Sequence, residues 1–253
     1  MTESIRNIAK KSTDDGAFAN ADLGMQRQQM MDALARFGIA ENSSAPTRLR
    51  GRLLFGLDLT GSRERTLAEA RLATASMFEA IAAIGNIEVK LAWYRGVHEC
   101  KAGRWHDDPE IVSRSMKELS CVGGDTQIAK LLRVALAEPE EISGMVFIGD
   151  DCEEKTDVLF DLARKLGRKS VPLFIFHECT ELDDYSLRAK PSFRKMAKLS
   201  GGAYMEFKPD SGTVLREALT SLAAFSAAGP EGMRQIPTPK TPEALQLHRH
   251  FLP

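Results

Sequence analysis

Leu53-Leu54-Phe55-Gly56-Leu57-Asp58-Leu59-Thr60-Gly61-Ser62 is the stretch that decides the fold. Its first half is a continuous apolar run of strand length. From Arg63 to about Ile84 the chain is then rich in Ala, Leu, Glu and Arg, residues that favour helix. A wholly apolar strand running into a long helix reads as one unit of an α/β fold whose sheet is covered on both faces. At the junction a carboxylate and two hydroxyls stand at alternate positions, Asp58, Thr60 and Ser62. They are hard oxygen donors, suited to Mg²⁺ rather than to a soft metal.

Working outward, the alternation of strand and helix repeats. Ile87, Val89, Leu91 and Trp93 alternate with other residues up to Tyr94, and a hairpin-like stretch with Gly103 follows to Trp105. Asp108-Pro109 caps and opens a helix to about Leu119. Cys121 to Thr126 is a Gly-rich loop before a helix from Gln127 to Ala137. Met145 to Ile148 is an apolar strand ending in Gly149-Asp150-Asp151, and Lys155 to Leu166 is a helix stopped by Gly167. Val171 to Phe176 is a strand, Ser192 to Leu199 a helix closed by Gly201-Gly202, Ala203 to Phe207 a strand, and Gly212 to Ala227 a last helix. The pattern predicts a doubly wound, three-layer α/β/α domain over residues 50–228, with a six-stranded, mostly parallel sheet.

The flanks read differently. Residues 1–49 form an expected N-terminal arm: a polar loop from Ser12 to Asn20, an amphipathic helix from Leu23 to Phe37, and a linker from Glu41 to Thr47. From Gly229 the chain has four prolines before Leu245 and few apolar residues, so 229–253 is expected to be a flexible tail.

Composition narrows the function classes. The 253 residues are 43% hydrophobic and 27% charged, enough to build a sizeable core. A formal net charge of −1 gives no overall basic field for nucleic acid or acidic lipid. No apolar run is long enough to span a bilayer, and Met1 to Lys11 lacks the apolar core of a signal peptide. Cys100, Cys121, Cys152 and Cys179 show no C-x-x-C spacing and read as reduced thiols of a cytoplasmic protein. Cys100 with His98 lacks further ligands at zinc-site spacing.

In an open parallel sheet, ligands bind beyond the carboxyl ends of the strands. The Asp58–Ser62 turn, the Gly123-Gly124-Asp125-Thr126 loop and Gly149-Asp150 all belong to that edge in the expected topology. Two carboxylates and three hydroxyls would then surround one cation and leave a coordination position open, as Mg²⁺ sites commonly do.

In these residues the sequence resembles the von Willebrand factor A (VWA) domain family. That family's metal-ion-dependent adhesion site has an Asp-x-Ser/Thr-x-Ser turn after the first strand, a Thr in a later loop and an Asp after the fourth strand. Asp58, Thr60, Ser62, Thr126 and Asp150 match in order and in spacing. Phe193 to Tyr204 is similar to the family's late helix-Gly-Gly-strand, and the resemblance covers about residues 50–228. Thr60 stands where Ser is more usual, keeping the hydroxyl and adding a methyl. The resemblance implies that Thr60 and Ser62 bind Mg²⁺ (or Mn²⁺ or Ca²⁺) through their hydroxyls. Asp58 and Asp150 supply charge, one or both through water, and Thr126 binds directly or through water. The open position takes an Asp or Glu carboxylate of a partner protein, which makes the chain a scaffold or regulator in a cytoplasmic assembly.

Each piece has a plainer role open to it. Thr60 and Ser62 could cap the following helix, Gly123-Gly124 could be only a turn, and Asp150-Asp151 with Glu153-Glu154 could be an acidic first helical turn. His106, His177, His248 and His250 have no partner pattern for a catalytic base; Trp93, Tyr94 and Trp105 read as core or strand-face residues, and Asp183-Asp184 as a solvated loop.

Enzyme patterns are incomplete. A haloacid-dehalogenase phosphatase needs Asp where Thr60 stands, a nucleotide site needs a Gly-rich phosphate loop after a strand, and a serine hydrolase needs G-x-S-x-G around its nucleophile. A Toprim-like nuclease needs Asp-x-Asp, and here Asp150-Asp151 are adjacent. The expected function is therefore a metal-dependent protein-binding module and not an enzyme. Its alternatives are a metal-dependent phosphoester hydrolase using the same pocket and a metal-free structural domain.

Overall fold

Eight consecutive residues, Gly51–Asp58, form β1, and all but Arg52 are buried. A computed structural model describes residues 51–81, 87–179, 184–208 and 212–252. The expected arm at 1–49, the end of the first long helix and Asp183 lie outside the described residues. The described elements all fall in one compact unit, Ala45–Pro253.

After a 3₁₀ turn at Gly61–Arg65 come α1 (Leu67–Ile81), β2 (Ile87–Arg95), β3 (Glu99–His106), α2 (Pro109–Glu118) and α3 (Ile128–Ala137). Then follow β4 (Gly144–Gly149), α4 (Thr156–Arg168), β5 (Leu173–Glu178), α5 (Asp184–Ser200), β6 (Tyr204–Phe207), α6 (Gly212–Arg234) and α7 (Pro242–His250). The six strands form one sheet in the order β3-β2-β1-β4-β5-β6. Only β3 is antiparallel. The expected three-layer α/β/α fold with a six-stranded, mostly parallel sheet is the fold observed.

Alternating side chains of the central strands feed the two outer layers. On one face Leu54, Met145, Phe147, Leu173 and Ile175 form a single cluster with α3, α4 and α5. On the other, α1 packs along α6, and α6 contacts β1. Leu53, Phe55 and Leu57 of β1 are also buried, at positions alternate to Leu54.

Three elements differ from the sequence reading. The long helix does not begin at Arg63, because the 3₁₀ turn and Thr66 intervene before α1. The helix expected over Ser192 to Leu199 is α5, which already begins at Asp184 and holds Pro191 inside it. Proline costs one backbone bond there, while Ala189, Phe193, Met196 and Ala197 bury a continuous stripe.

The third difference concerns the expected flexible tail at 229–253, which is built into the fold. Gly229 takes a left-handed φ of 61°, which glycine tolerates, and α6 bends there and continues to Arg234. Proline at the first turn starts α7. Ala244, Leu247 and Phe251 are buried, and the Phe251 ring meets Phe225 at 4.8 Å and Phe174 at 5.9 Å between centroids.

Candidate functional site

The strand order reverses between β1 and β4, since β1 leads outward to β2 while β4 lies on its other side. Such a reversal opens a crevice at the carboxyl ends of the strands. The register sets the residues there at one level. Asp58 pairs with Tyr94, Leu57 with Ile148, and Gly149 with His177. The ends of β1, β2, β4 and β5 thereby deliver Asp58, Tyr94, Asp150, His177 and Glu178 to one edge.

Asp58 is 2% exposed and fully engaged. Its Oδ1 accepts from Thr60 N at 2.8 Å and from Thr60 Oγ1 at 2.6 Å. Its Oδ2 accepts from the Tyr94 hydroxyl at 2.7 Å. Thr60 Oγ1 lies 3.2 Å from Ser62 Oγ. The Thr60 side chain makes no helix-capping hydrogen bond. Its hydroxyl turns back to the carboxylate, so the plainer capping role is not the one it plays.

A Cβ placed on Gly149 would lie 3.2 Å from Asp58 Cβ, so the Asp58 side chain rests against the end of β4. Burial and then the charge of Asp150 push the Asp58 carboxyl up to about 6, against the pull of Thr60 and Tyr94. Asp150 is also buried, and its Oδ1 has no hydrogen-bond partner among the described residues.

Thr126 reaches the same edge through its loop. Val122 N donates to Leu59 O at 3.0 Å and Gly96 N to Val122 O at 3.1 Å, so the loop lies between the ends of β1 and β2. Gly123 packs against Gly61, and a Cβ on Gly124 would collide with Gly96 O at 2.1 Å. Thr126 and Glu153 bond reciprocally: Glu153 N donates to Thr126 Oγ1 and Thr126 N to Glu153 Oε2, each at 3.1 Å. Glu154 accepts from Ala129 N at the start of α3. Glu153 and Glu154 thus serve the preceding loop and α3, and precede α4, which begins at Thr156.

The edge brings together Asp58, Thr60 and Ser62 by direct hydrogen bonds, and Asp58 with Asp150 through their charges. Thr126 is tied in through Glu153, three residues beyond Asp150. Ser62 and the loop from Val122 to Asp125 are exposed, so the edge opens to solvent above buried carboxylates. Two carboxylates, one of them carrying the unpaired Asp150 Oδ1, and three hydroxyls are oxygen donors of the kind a hard divalent cation takes. Among the described residues, no three or more His, Cys, Asp or Glu side chains cluster as a metal site, so hydroxyls would have to complete the set.

Four participants escaped the sequence reading. Tyr94 is fully buried and donates to Asp58. His177 is fully buried, with Nε2 3.1 Å from Asp150 O and Nδ1 2.7 Å from the Tyr204 hydroxyl. Burial lowers it to about 4, so it is neutral near pH 7. Arg63 and Glu178 form a buried ion pair at the same edge. Only Arg63 left a local signal, a charge directly after Ser62.

No family model and no curated protein matches the sequence. Solved structures do. The pilus adhesin SpaC from Lactobacillus rhamnosus GG aligns with a TM-score of 0.59 at 10% identity, covering 74% of this chain and 31% of that one. A von Willebrand factor type A protein from Catenulispora acidiphila gives 0.55 at 14% identity, covering 72% and 43%. The SpRpn10 VWA domain gives 0.53 at 11% identity, covering 68% of this chain and 95% of that one. The chain thus spans about a third of the adhesin's length and almost all of the SpRpn10 domain. At these identities the likeness is one of fold, and the fold is that of VWA domains.

Proposed function

We propose that the chain is a metal-dependent protein-binding module, a scaffold or regulator within a cytoplasmic assembly. The observation that carries this reading is the buried, unpaired Asp150 Oδ1 beside a second buried carboxylate, at a strand edge open to solvent. A bound Mg²⁺ (or Mn²⁺ or Ca²⁺) supplies the positive charge that draws an Asp or Glu carboxylate from a partner protein.

The chain's own residues do the rest. Thr60 and Ser62 offer hydroxyl oxygens, Asp58 and Asp150 offer charge, and Thr126 offers a third hydroxyl positioned by Glu153. Tyr94 holds Asp58 Oδ2 in place. Exposed Val97 and Val122, on the loops flanking the edge, supply apolar contact around a carboxylate anchor. The unpaired cysteines agree with a reducing compartment, and among the described residues no helix is long and apolar enough to cross a membrane. That one fold neighbour is named an adhesin agrees with a binding role.

The hydrolase alternative needs a general base at this edge. His177 is the buried histidine there, and both its ring nitrogens are already engaged, so no observation favours that reading.

Calorimetric titration of the full chain with Mg²⁺ and Mn²⁺, wild type against Asp58→Ala, tests the proposal. Binding heat in the wild type that vanishes in the variant is expected, together with partner capture that chelator abolishes. Equal heats in the two proteins would overturn the assignment.

A further inference from the structure

The candidate edge already holds a cation of its own. Arg63 directly follows Ser62 and is 2% exposed. A guanidinium stays protonated and carries five N–H donors, so its burial demands compensation. Its Nη1 pairs with Glu178 Oε2 at the end of β5. The carboxylates beyond that contact that act on it most strongly are Asp150 and then Asp58, the same two that define the candidate ion site.

The compensation is incomplete. Arg63 Nη1 and Glu178 Oε2 have only each other, and Arg63 Nε and Asp150 Oδ1 are buried with no partner at all. They are all the buried side-chain atoms in that condition among the described residues, and all lie at this edge. Native proteins leave few such groups, and those they leave call for a cause. Three buried carboxylates, Asp58, Asp150 and Glu178, share the edge with one buried guanidinium, which contacts Glu178 directly. With these four groups charged, their net charge is about −2.

We infer that Arg63 is a tethered counter-cation, held by Glu178, that competes with a divalent ion for the Asp58–Asp150 carboxylates and so sets the affinity of the edge. The inference rests on the reading of this edge as an ion site. Without an ion, the guanidinium offsets part of the repulsion between Asp58 and Asp150. With an ion, its charge opposes the newcomer, and Glu178 absorbs part of that opposition.

Titration calorimetry of the full chain with Mn²⁺, followed by Mg²⁺, tests this in wild type, Arg63→Met, Arg63→Lys, Glu178→Gln and Asp58→Ala, with far-ultraviolet circular dichroism as the check on folding. Removing a unit charge beside a divalent ion should tighten binding in Arg63→Met by at least about tenfold. Arg63→Lys keeps the charge and should stay within about threefold of wild type. In Glu178→Gln the guanidinium bears wholly on Asp58 and Asp150, and binding should weaken by at least about threefold. A silent wild type with a binding Arg63→Met variant also supports the inference. Wild-type binding that Arg63→Met leaves equal or weaker overturns it while the ion site stands. No binding in any folded variant overturns both. Should Arg63→Met fail to fold, Glu178→Gln decides, because unchanged or tighter binding there overturns the competition.

Discussion

Replacing Asp58 by asparagine isolates the cost of holding a charge at the buried end of β1. Burial, reinforced by Asp150, moves the Asp58 carboxyl from 3.8 to about 6. Between those values the folded protein keeps a proton that the unfolded chain releases. Stability therefore falls as pH rises through this window, and the loss is complete above about pH 6. A displacement of roughly two pH units corresponds to about 3 kcal/mol. The carboxamide of Asp58→Asn has nearly the same shape and still accepts from Thr60, and the Tyr94 hydroxyl can rotate to accept from its amide. Any cost of that rearrangement is the same at every pH. The stability of the variant relative to wild type should thus rise by about 2 kcal/mol from pH 4 to pH 7, most of it below pH 6. His177 slopes the other way: held at about 4, it contributes stability present above its unfolded value of 6.5 and lost as pH falls toward 4. It is common to both proteins and cancels in the comparison. In absolute terms, acid should destabilise the variant more steeply than wild type. Urea unfolding in the presence of chelator, followed by circular dichroism at half-unit pH steps, measures the difference. A difference constant to within about 0.5 kcal/mol from pH 4 to pH 7 would refute the electrostatic account of Asp58.

Two further substitutions test how the edge and the C-terminal segment are built. Phe251→Ala removes a buried ring stacked on Phe225 and should cost about 3 kcal/mol in urea unfolding. It should also expose the chain after Arg234 to limited proteolysis, and wild-type resistance in the variant would count against α7 as a structural element. Gly124→Ala places a Cβ 2.1 Å from Gly96 O, so the loop must move and carry Thr126 away from Glu153. A loss of about 2 kcal/mol is expected there. Gly123→Ala meets no atom within 4 Å and should behave like wild type; similar losses in both would count against the close approach to Gly96 as the cause.

The difference between what was legible and what was not follows the range of the interactions. Strand type was written locally: the unbroken run Leu53 to Leu57 and the run Met145 to Ile148 have few alternatives to central parallel strands, and both are buried throughout. The order of Asp58, Thr60, Ser62, Thr126 and Asp150 was legible for the same reason, since each sits at the end of an element or in the loop before one. What satisfies those groups was not legible, because it depends on register. Tyr94 donates to Asp58 only because β1 and β2 align those two residues, and nothing between them in sequence announces that alignment. The C-terminal segment failed for the opposite cause. Its glycine and prolines dominate the composition, yet Gly229 makes one bend and Pro242 opens a helix, leaving Ala244, Leu247 and Phe251 to pack.

Arg63 joins the two cases. As the first residue of a long helix it would be one more solvated charge. The chain instead makes a 3₁₀ turn, Thr66 closes it by donating to Arg63 O at 3.2 Å, and α1 begins a residue later. That short irregularity is what leaves Arg63 buried against Glu178. A turn of five residues, invisible to helix propensity, thereby sets a buried positive charge at the strand edge that holds Asp58 and Glu178.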